Sequence, residues 1–227
     1  MKRNLLWIIT VVGLFSCSER LNEVLVSSGS MPINLTGSIA QQNMTRANEQ
    51  GFVTGDRMGV YIVDYVNGQP GTLAISGNRA SNYALTLHSE SERWEGNGTI
   101  YWNDSKTPID VYGYYPYDNS MEAMTEHIFS VQADQSTKGG DGEMSGYEKS
   151  DFLWAKKTKV QPTCELIYLL HHPLLAGIKV VLQQGDGFVG EEWNKLKRIV
   201  TVENTTLSAR INMSTGVATP SEADGNL

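Results

Sequence analysis

The sequence has 227 residues and carries 18 lysines and arginines against 25 aspartates and glutamates, a formal net charge of −7 at pH 7. This acidic balance, with no basic tract, argues against a nucleic acid as the partner. Two cysteines exclude a disulfide framework, and the length allows one large all-β domain, or one domain and the start of a second.

The N-terminal residues have the layout of a secretory signal. Lys2 and Arg3 precede an apolar run over residues 5–15, and Ser16 and Cys17 follow it. As a helix the run would reach roughly 16 Å, against a hydrocarbon core about 30 Å thick, so it is too short to span a bilayer. A small residue followed by Cys resembles a bacterial lipobox. We therefore predict a lipoprotein signal peptide that ends at Ser16 and a lipid on Cys17; the alternative is an ordinary secretory signal with an unrelated Cys.

β-branched and aromatic residues recur at period two along the rest of the chain. The first alternating stretch, 31–39, places Ile33, Leu35 and Ile39 on one face and polar side chains on the other. Burying three such aliphatic side chains is worth on the order of 5–8 kcal/mol gross. Further strands are predicted, in chain order, at 58–66, 83–87, 99–102, 109–115, 128–131, 152–155, 166–171, 177–182, 199–202 and 209–212.

Turn residues separate these short strands, a pattern that favours an all-β, antiparallel β-sandwich with little helix. Residues 177–182 alternate most clearly, and their inward side chains would be Ile178, Val180 and Leu182. Helix signals are confined to 121–126 and 191–196. The Gly-rich polar stretch 136–150 is predicted to be an exposed loop.

The pattern also suggests domain boundaries. We predict a signal peptide over 1–16 and a β-sandwich domain that ends at residue 185. An alternating stretch at 207–218 gives way to a polar end at 220–227. We therefore expect 186–227 to be a linker and the start of a second, truncated β-domain.

No catalytic, cofactor or metal site is predicted. Zinc-ligand spacings, a Gly-x-Ser-x-Gly elbow and a Gly-Lys-Ser/Thr phosphate loop are absent from the sequence. His171 and His172 are adjacent, so on a strand they would point to opposite faces and could not bind one ion. Cys164 lies beside a strand-like apolar run and is predicted to be a buried free thiol. An enzyme is the least favoured class.

Three tryptophans are candidates for a binding surface. Trp94, Trp102 and Trp154 offer aromatic faces that can stack on the apolar faces of sugar rings. Packing in the core of a sandwich explains the same residues more simply. Both interpretations stay open at the level of the sequence.

Four motifs, in this order, resemble the fimbrillin family of Bacteroides-type anaerobes. They are 52–61 (FVTGDRMGVY), 110–117 (DVYGYYPY), 151–155 (DFLWA) and 170–180 (LHHPLLAGIKV). Each motif alone is unspecific, whereas the ordered set is informative. The resemblance runs from about residue 31 to residue 219.

This resemblance implies a Greek-key-like, transthyretin-like sandwich in a structural subunit of surface fimbriae. It corresponds to the N-terminal domain of a major fimbrial subunit and the start of its second domain. In polymerising members an Arg-specific protease removes the N-terminal segment, and a strand from another subunit fills the groove that opens. Arg46 and Ala47 lie after the first predicted strand and before Phe52, where such a cut would fall. The resemblance therefore implies a lipidated propeptide with a first strand over 17–46 and an N-terminal β-sandwich domain over 47–185. Ile33, Leu35 and Ile39 would then form the inward face of a self-complementing strand.

The resemblance also implies partners and a location. Other fimbrial subunits, in a homopolymer, and the Arg-specific protease would be the protein partners, with a role in adhesion. Several acyl chains on Cys17, palmitate among them, would hold the precursor firmly in the outer membrane, at the cell surface or in the fimbrium. Two alternatives remain: a lipid-anchored surface protein that binds glycan through the tryptophans, and a fimbrial anchor or tip protein that is never cleaved.

Overall fold

A computed structural model describes residues 31–40, 51–89, 93–139, 144–188 and 191–221. The described residues are almost entirely strands and loops, so the predicted all-β class is confirmed. The elements are β1 (Asn34–Ile39), β2 (Arg57–Val66), β3 (Gln69–Pro70), β4 (Ala80–Leu87), β5 (Trp94–Gly96), β6 (Ile109–Tyr115), β7 (His127–Ser130), a 3₁₀ turn (Glu148–Ser150), β8 (Leu153–Val160), β9 (Leu166–Pro173), α1 (Glu192–Lys195), β10 (Ser208–Asn212) and β11 (Val217–Pro220).

The main sheet has the strand order β1-β9-β8-β6-β2-β4-β5, with the short β3 paired to β2. The β2–β3 hairpin turns on Asn67 and Gly68, which both adopt positive φ, as a tight two-residue hairpin turn requires. Pairing is antiparallel from β9 to β5. β1 lies close to β5, and Pro32 bridges Tyr101. The sheet therefore curls until its two ends approach each other, like a barrel.

The first strand departs from the predicted antiparallel pattern. β1 runs parallel to β9, with Asn34 opposite Leu166 at one end and Ile39 opposite His171 at the other. Alternation in a sequence specifies which side chains face the core, but it does not specify the direction of the neighbouring strand. The strand itself is formed where the sequence predicts it.

The inner face of the curled sheet encloses the larger of two apolar clusters. β2, β6, β8 and β9 contribute alternate side chains to it, which fits the period of a strand that faces the core on one side. Its members include Met58, Val60, Ile62, Ile109, Val111, Ala155, Ile167, Leu169, Trp94 and Trp102, together with Leu35 from β1 and Ile33 just before it. β1 thus completes the inner core.

The outer face of β2 and β6 carries a second cluster, built around Tyr61, Tyr112, Tyr114 and Phe152. A three-stranded sheet of order β11-β10-β7 covers it, and Ile211 and Met213 are fully buried there. Residues 208–213 therefore belong to the same packed body as β7. The sequence predicts a linker and the start of a second, truncated β-domain over 186–227, and this boundary stays a prediction.

Two predicted strands are wrong. Residues 177–182 and 199–202 form no strand, and Ile178, Val180 and Leu182 are about half exposed or more, with Ile178 at 62%. These residues cannot form a hairpin with β9, because both of its edges are already taken, by β8 and β1. Apolar alternation without a free hydrogen-bonding edge does not produce a strand.

Two further predictions need correction, and one is confirmed. Residues 121–126 form no helix, although Met121 and Met124 are buried in the outer cluster. Residues 99–102 make a single bridge rather than a strand. The predicted turn of helix near 191–196 is present as α1. In the described part of the chain, no helix is long and apolar enough to cross a bilayer.

Candidate functional site

The position that β1 occupies is the candidate site, and we call it the β1 slot. It lies between β9 on one side and residues 100–102 on the other. The β9 side is a six-residue parallel ladder, closed by the Ala40 amide, which donates to the His171 carbonyl at 2.8 Å. On the other side, the Ile33 amide donates to the Ile100 carbonyl at 2.8 Å, and the Trp102 amide donates to the Met31 carbonyl at 3.0 Å. The segment 31–40 is therefore hydrogen-bonded along both edges.

The inward face of this segment seals the inner core. Met31, Ile33 and Leu35 are 8%, 7% and 6% exposed, and Ile39 is half-buried. Beside them on β9, facing the same inner cluster, lie Ile167 and Leu169. At roughly 1.5–3 kcal/mol per fully buried apolar side chain, the hydrophobic contribution is several kcal/mol. Removing β1 would expose this face and the part of the core that it covers.

The wall opposite β9 is held by an ion pair. The Arg79 guanidinium donates to both carboxylate oxygens of Asp64, at 2.6 Å from Nε and 2.5 Å from Nη2. Its Nη1 donates to the Tyr101 carbonyl at 3.1 Å, next to the residues that bond to the start of β1. Trp102 Nε1 donates to the Thr163 carbonyl at 3.0 Å. This wall is therefore fixed independently of β1.

His171 forms the floor of the slot near its end. The side chain is fully buried and lies between Gly37 of β1 and Gly113 of β6. A β-carbon on residue 37 would lie 3.1 Å from His171 Cε1, and one on residue 113 would lie 2.9 Å from Nε2. Phe52 closes the remaining side, with ring centroids 5.3 Å apart. Two glycines therefore make room for one imidazole.

The His171 ring is in an unusual polar environment. Neither ring nitrogen makes a hydrogen bond of acceptable geometry, although the backbone of Ser38 and Leu169 lies near enough to favour the charged form weakly. Burial opposes the charged form more strongly and lowers the pKa of His171 to about 4. The imidazole is therefore neutral at pH 7 and acts as a filler of fixed shape.

Several predicted site residues lie outside the described residues. These are the lipidation and signal-cleavage residues Ser16 and Cys17, and the processing residues Arg46 and Ala47. Arg46 falls in the segment 41–50, which joins β1 to Phe52. The described residues that flank this segment are Ala40, directly after β1, and Gly51, directly before Phe52.

The tryptophans do not lie on one surface. Trp94 and Trp102 are 7% and 1% exposed and belong to the inner cluster. Trp154 packs against the outer cluster, and its Nε1 donates to the Met213 carbonyl at 2.8 Å. A joint sugar-stacking platform is therefore contradicted in this conformation, because the rings fill two cores on opposite faces of the main sheet.

Two more predictions about polar residues can be compared with the structure. His171 and His172 point to opposite faces, as predicted, one buried and one exposed. Cys164 is exposed, so its prediction as a buried thiol is wrong, because it lies in the turn before β9 rather than in the strand. No group of three or more potential metal ligands was found within the described ranges.

Sequence reasoning missed Gly37, Phe52 and His171 as parts of the slot. A signal for Gly37 was present, since residue 37 shares the parity of Ile33, Leu35 and Ile39 and therefore faces inward. A glycine on the inward face of a strand often marks the close approach of another group.

Comparisons with known proteins agree with this architecture. Residues 45–226 match the model of a protein family described as fimbrillin-like. A protein of Bacteroides ovatus named as a candidate fimbrium tip subunit, Fim1C, is 29% identical over 162 residues, which cover 66% of this chain and 28% of that protein. The chain thus spans much less than the full length of this curated relative.

Two crystal structures are similar. A candidate cell adhesion protein from Bacteroides uniformis matches with a TM-score of 0.57 and 18% identity, over 86% of this chain and 68% of that one. A fimbrial protein from Bacteroides ovatus matches with a TM-score of 0.40 and 19% identity, over 65% of this chain and 29% of that one. At 18% identity the likeness to the Bacteroides uniformis protein shows the fold alone.

Proposed function

The chain belongs to the fimbrillin-like family, and from this premise we propose that it is a structural subunit of a surface fimbrium that assembles with other fimbrial subunits by strand exchange. In this role β1 is a temporary plug. It holds the precursor folded until it is released, and a strand of another subunit then takes its place. The protein catalyses nothing in this process and supports adhesion as part of the fibre.

One observation carries the proposal: the first described strand completes the inner core, yet it is an end strand of the main sheet. Among the described strands β1 pairs with β9 alone, and the bonds to Ile100 and Trp102 come from Ile33 and Met31, which precede β1. Its removal therefore leaves the other strands of the main sheet paired as before. Its inward side chains make it necessary for a dry core, whereas its place at the end makes it separable. An edge that must be covered and an occupant that can leave are the two requirements of strand addition.

The connection between β1 and the rest of the chain supports the same role. Only residues 41–50 join β1 to Phe52 in the covalent chain, and Arg46 lies among them. A cut there would leave β1 held by non-covalent contacts alone. A covalently attached strand competes at a high effective concentration, and cleavage removes this advantage over an incoming strand.

Export as an outer-membrane lipoprotein fits this sequence of events. The lipobox-like sequence at Ser16 and Cys17 would place a lipid on the segment that carries β1. Cutting at Arg46 would then remove, in a single step, the covalent link of the subunit to the lipid and to β1, so that an incoming strand can displace β1. Membrane lipid and an Arg-specific protease are accordingly the proposed partners of the precursor.

The test is protease-triggered assembly of the purified precursor. Treatment with an Arg-specific protease should convert the wild-type chain to polymers or to complexes with partner subunits, as measured by light scattering after size exclusion. Arg46→Ala should block this conversion, whereas Arg93→Ala, at an arginine that is exposed in the structure, should not. Equal assembly of the Arg46→Ala chain would contradict the processing step.

A tip subunit is the second candidate, and the 29% identity to a candidate tip subunit favours it. A subunit at the end of a fibre needs only one half of the strand exchange, whereas a stalk subunit needs both. Mass spectrometry of the native N-terminus separates an uncleaved fimbrial anchor from both, because an acylated Cys17 and a free Ala47 are mutually exclusive ends.

A further inference from the structure

The β1 slot has a position at which the side chain of its occupant is restricted. At the register of Ile33 and Leu35 the slot receives an aliphatic side chain into the inner core. Two residues further along the same face, at Gly37, the space is filled by His171 and Phe52. The slot therefore accepts a side chain at the registers of 33 and 35 and has no space for one at the register of 37.

The glycine at this position is required by space and not by backbone conformation. Gly37 is absent from the residues with positive φ, so any L-residue could adopt its extended backbone. A β-carbon there would lie 3.1 Å from His171 Cε1 and 3.4 Å from Phe52 Cε2. The distance to His171 is shorter than ordinary carbon–carbon contacts of about 3.5–4.0 Å, and the distance to Phe52 is at the short limit of such contacts.

His171 cannot move away from an added side chain. Behind it the backbone of Gly113 leaves room only for the ring, since a β-carbon there would be 2.9 Å from Nε2. The buried Ala155 of β8 also lies next to His171. In the antiparallel pair of β8 and β9, Trp154 is opposite His172, so the following position places Ala155 opposite His171. Phe52 is held in turn by Trp94 and Tyr115, at centroid distances of 5.0 and 5.3 Å.

The same spacing occurs on the strand that supports the other side of the ring. In β6, Ile109 and Val111 face the inner core, and Gly113 follows two residues later against His171. β1 and β6 therefore present two aliphatic residues and then a glycine at alternate positions. The imidazole lies between the two glycines.

We propose that His171 makes the β1 slot selective for a partner strand that carries aliphatic residues at the registers of 33, 35 and 39 and a glycine at the register of 37. The occupant is a strand of another fimbrial subunit with this alternation. This inference rests on the strand exchange proposed above and adds the sequence rule by which the partner is recognised. A strand with a branched side chain at the glycine register would be rejected even if its other residues fit.

Peptide competition tests the rule on the whole protein. A specific protease site is placed within residues 41–50, the chain is cut there, and the resident β1 segment carries a fluorophore. A peptide with the sequence of residues 31–40 should displace the labelled segment. The same peptide with Gly37→Val should be weaker by about tenfold or more, since overpacking of a filled site typically costs about that much. The matched control is Ser38→Val in the peptide, the same change at an exposed, outward position, and it should keep displacement within about threefold.

The role of His171 is tested with a second protein. In a His171→Ala chain the space opens, so the Gly37→Val peptide should recover to within about threefold of the unaltered peptide. Equal displacement by the valine and glycine peptides on the wild-type chain would overturn the inference while leaving strand exchange intact. Unchanged discrimination in the His171→Ala chain would also overturn it. If even the unaltered peptide displaces nothing, the proposed strand exchange itself fails and this inference fails with it.

Discussion

The rings of His171 and Phe52 meet edge to face, with centroids 5.3 Å apart and planes at 87°. The segment that contains Arg46 lies between these two positions. Phe52 follows the segment in the chain, and His171 is paired with Ile39, which precedes it. Together they close the end of the slot that β1 occupies. The contact is apolar on the Phe52 side, so it offers nothing to stabilise a charged imidazole.

The stability of the chain should fall as the pH is lowered through the range in which His171 is neutral when folded and charged when unfolded. The pKa is about 6.5 in an unfolded chain and is lowered to about 4 in the fold, chiefly by burial. The unfolded state therefore binds the proton first, and stability is full above about pH 6.5 and is lost towards pH 4. The loss attributable to His171 should be on the order of 3 kcal/mol.

Urea unfolding at a series of pH values measures this dependence. Few charged or titratable groups surround His171. β1 has no ionisable side chain between 34 and 39, and β6 presents Gly113 to the ring. The nearest titratable residues are the exposed His172 and Tyr115, which packs against Phe52. A His171→Leu chain should show a flatter pH profile, and His172→Gln should keep the wild-type slope. A His171→Leu profile as steep as that of the wild type would refute the assignment.

Leu35 should contribute strongly to the stability of the uncut chain. It is 6% exposed and packs into the inner core from β1, so Leu35→Ala should reduce the free energy of unfolding by about 2–4 kcal/mol. Ser38→Ala, on the exposed face of the same strand, should change it by less than about 0.5 kcal/mol. Urea denaturation monitored by tryptophan fluorescence gives both values. Similar losses for the two variants would mean that β1 is not docked through its inward face.

Gly59 should not tolerate a side chain. A β-carbon there would overlap the ring of Tyr114, whose hydroxyl donates to Asn82 Oδ1 at 2.5 Å and accepts from the Asp118 amide at 3.3 Å. The Tyr114 ring cannot move aside, because its backbone belongs to β6 and its hydroxyl is held by these hydrogen bonds. Gly59→Ala should therefore destabilise the fold by about 3 kcal/mol. Gly177→Ala is the matched control, since nothing lies within 4 Å of its added carbon. Thermal unfolding should separate the two, and equal melting temperatures would contradict the packing around Tyr114.

The sequence predicts the part of this fold that depends on alternation. The inward face of β1, the separation of His171 from His172, and most strands of the main sheet follow from period two in the residues themselves. The parallel direction of β1 does not, because alternation specifies which side chains face the core and not the direction of the neighbouring strand. Residues 177–182 also alternate well and still form no strand; they cannot form a hairpin with β9, because β1 and β8 occupy both of its edges.

The slot was only partly predictable. Ile33 and Leu35 were identified because aliphatic residues on one face indicate burial. The glycine on that face was not interpreted, since its meaning depends on a residue 134 positions later in the chain, His171. Contacts of this separation are visible only when the register of β1 on β9 is known.

Release of β1 can be tested most directly with a reversible covalent lock between β1 and β9. Ser38 and Leu170 are opposite each other in the parallel ladder and both are exposed, and neighbouring strands bring paired residues within the range that a disulfide spans. A chain with Ser38→Cys and Leu170→Cys, and with Cys17→Ser and Cys164→Ser to remove the other thiols, is oxidised and then cut within residues 41–50. Assembly should be absent in the oxidised chain and should begin when the disulfide is reduced. Assembly of the oxidised, cut chain at the rate of the reduced one would contradict the claim that β1 must leave its slot.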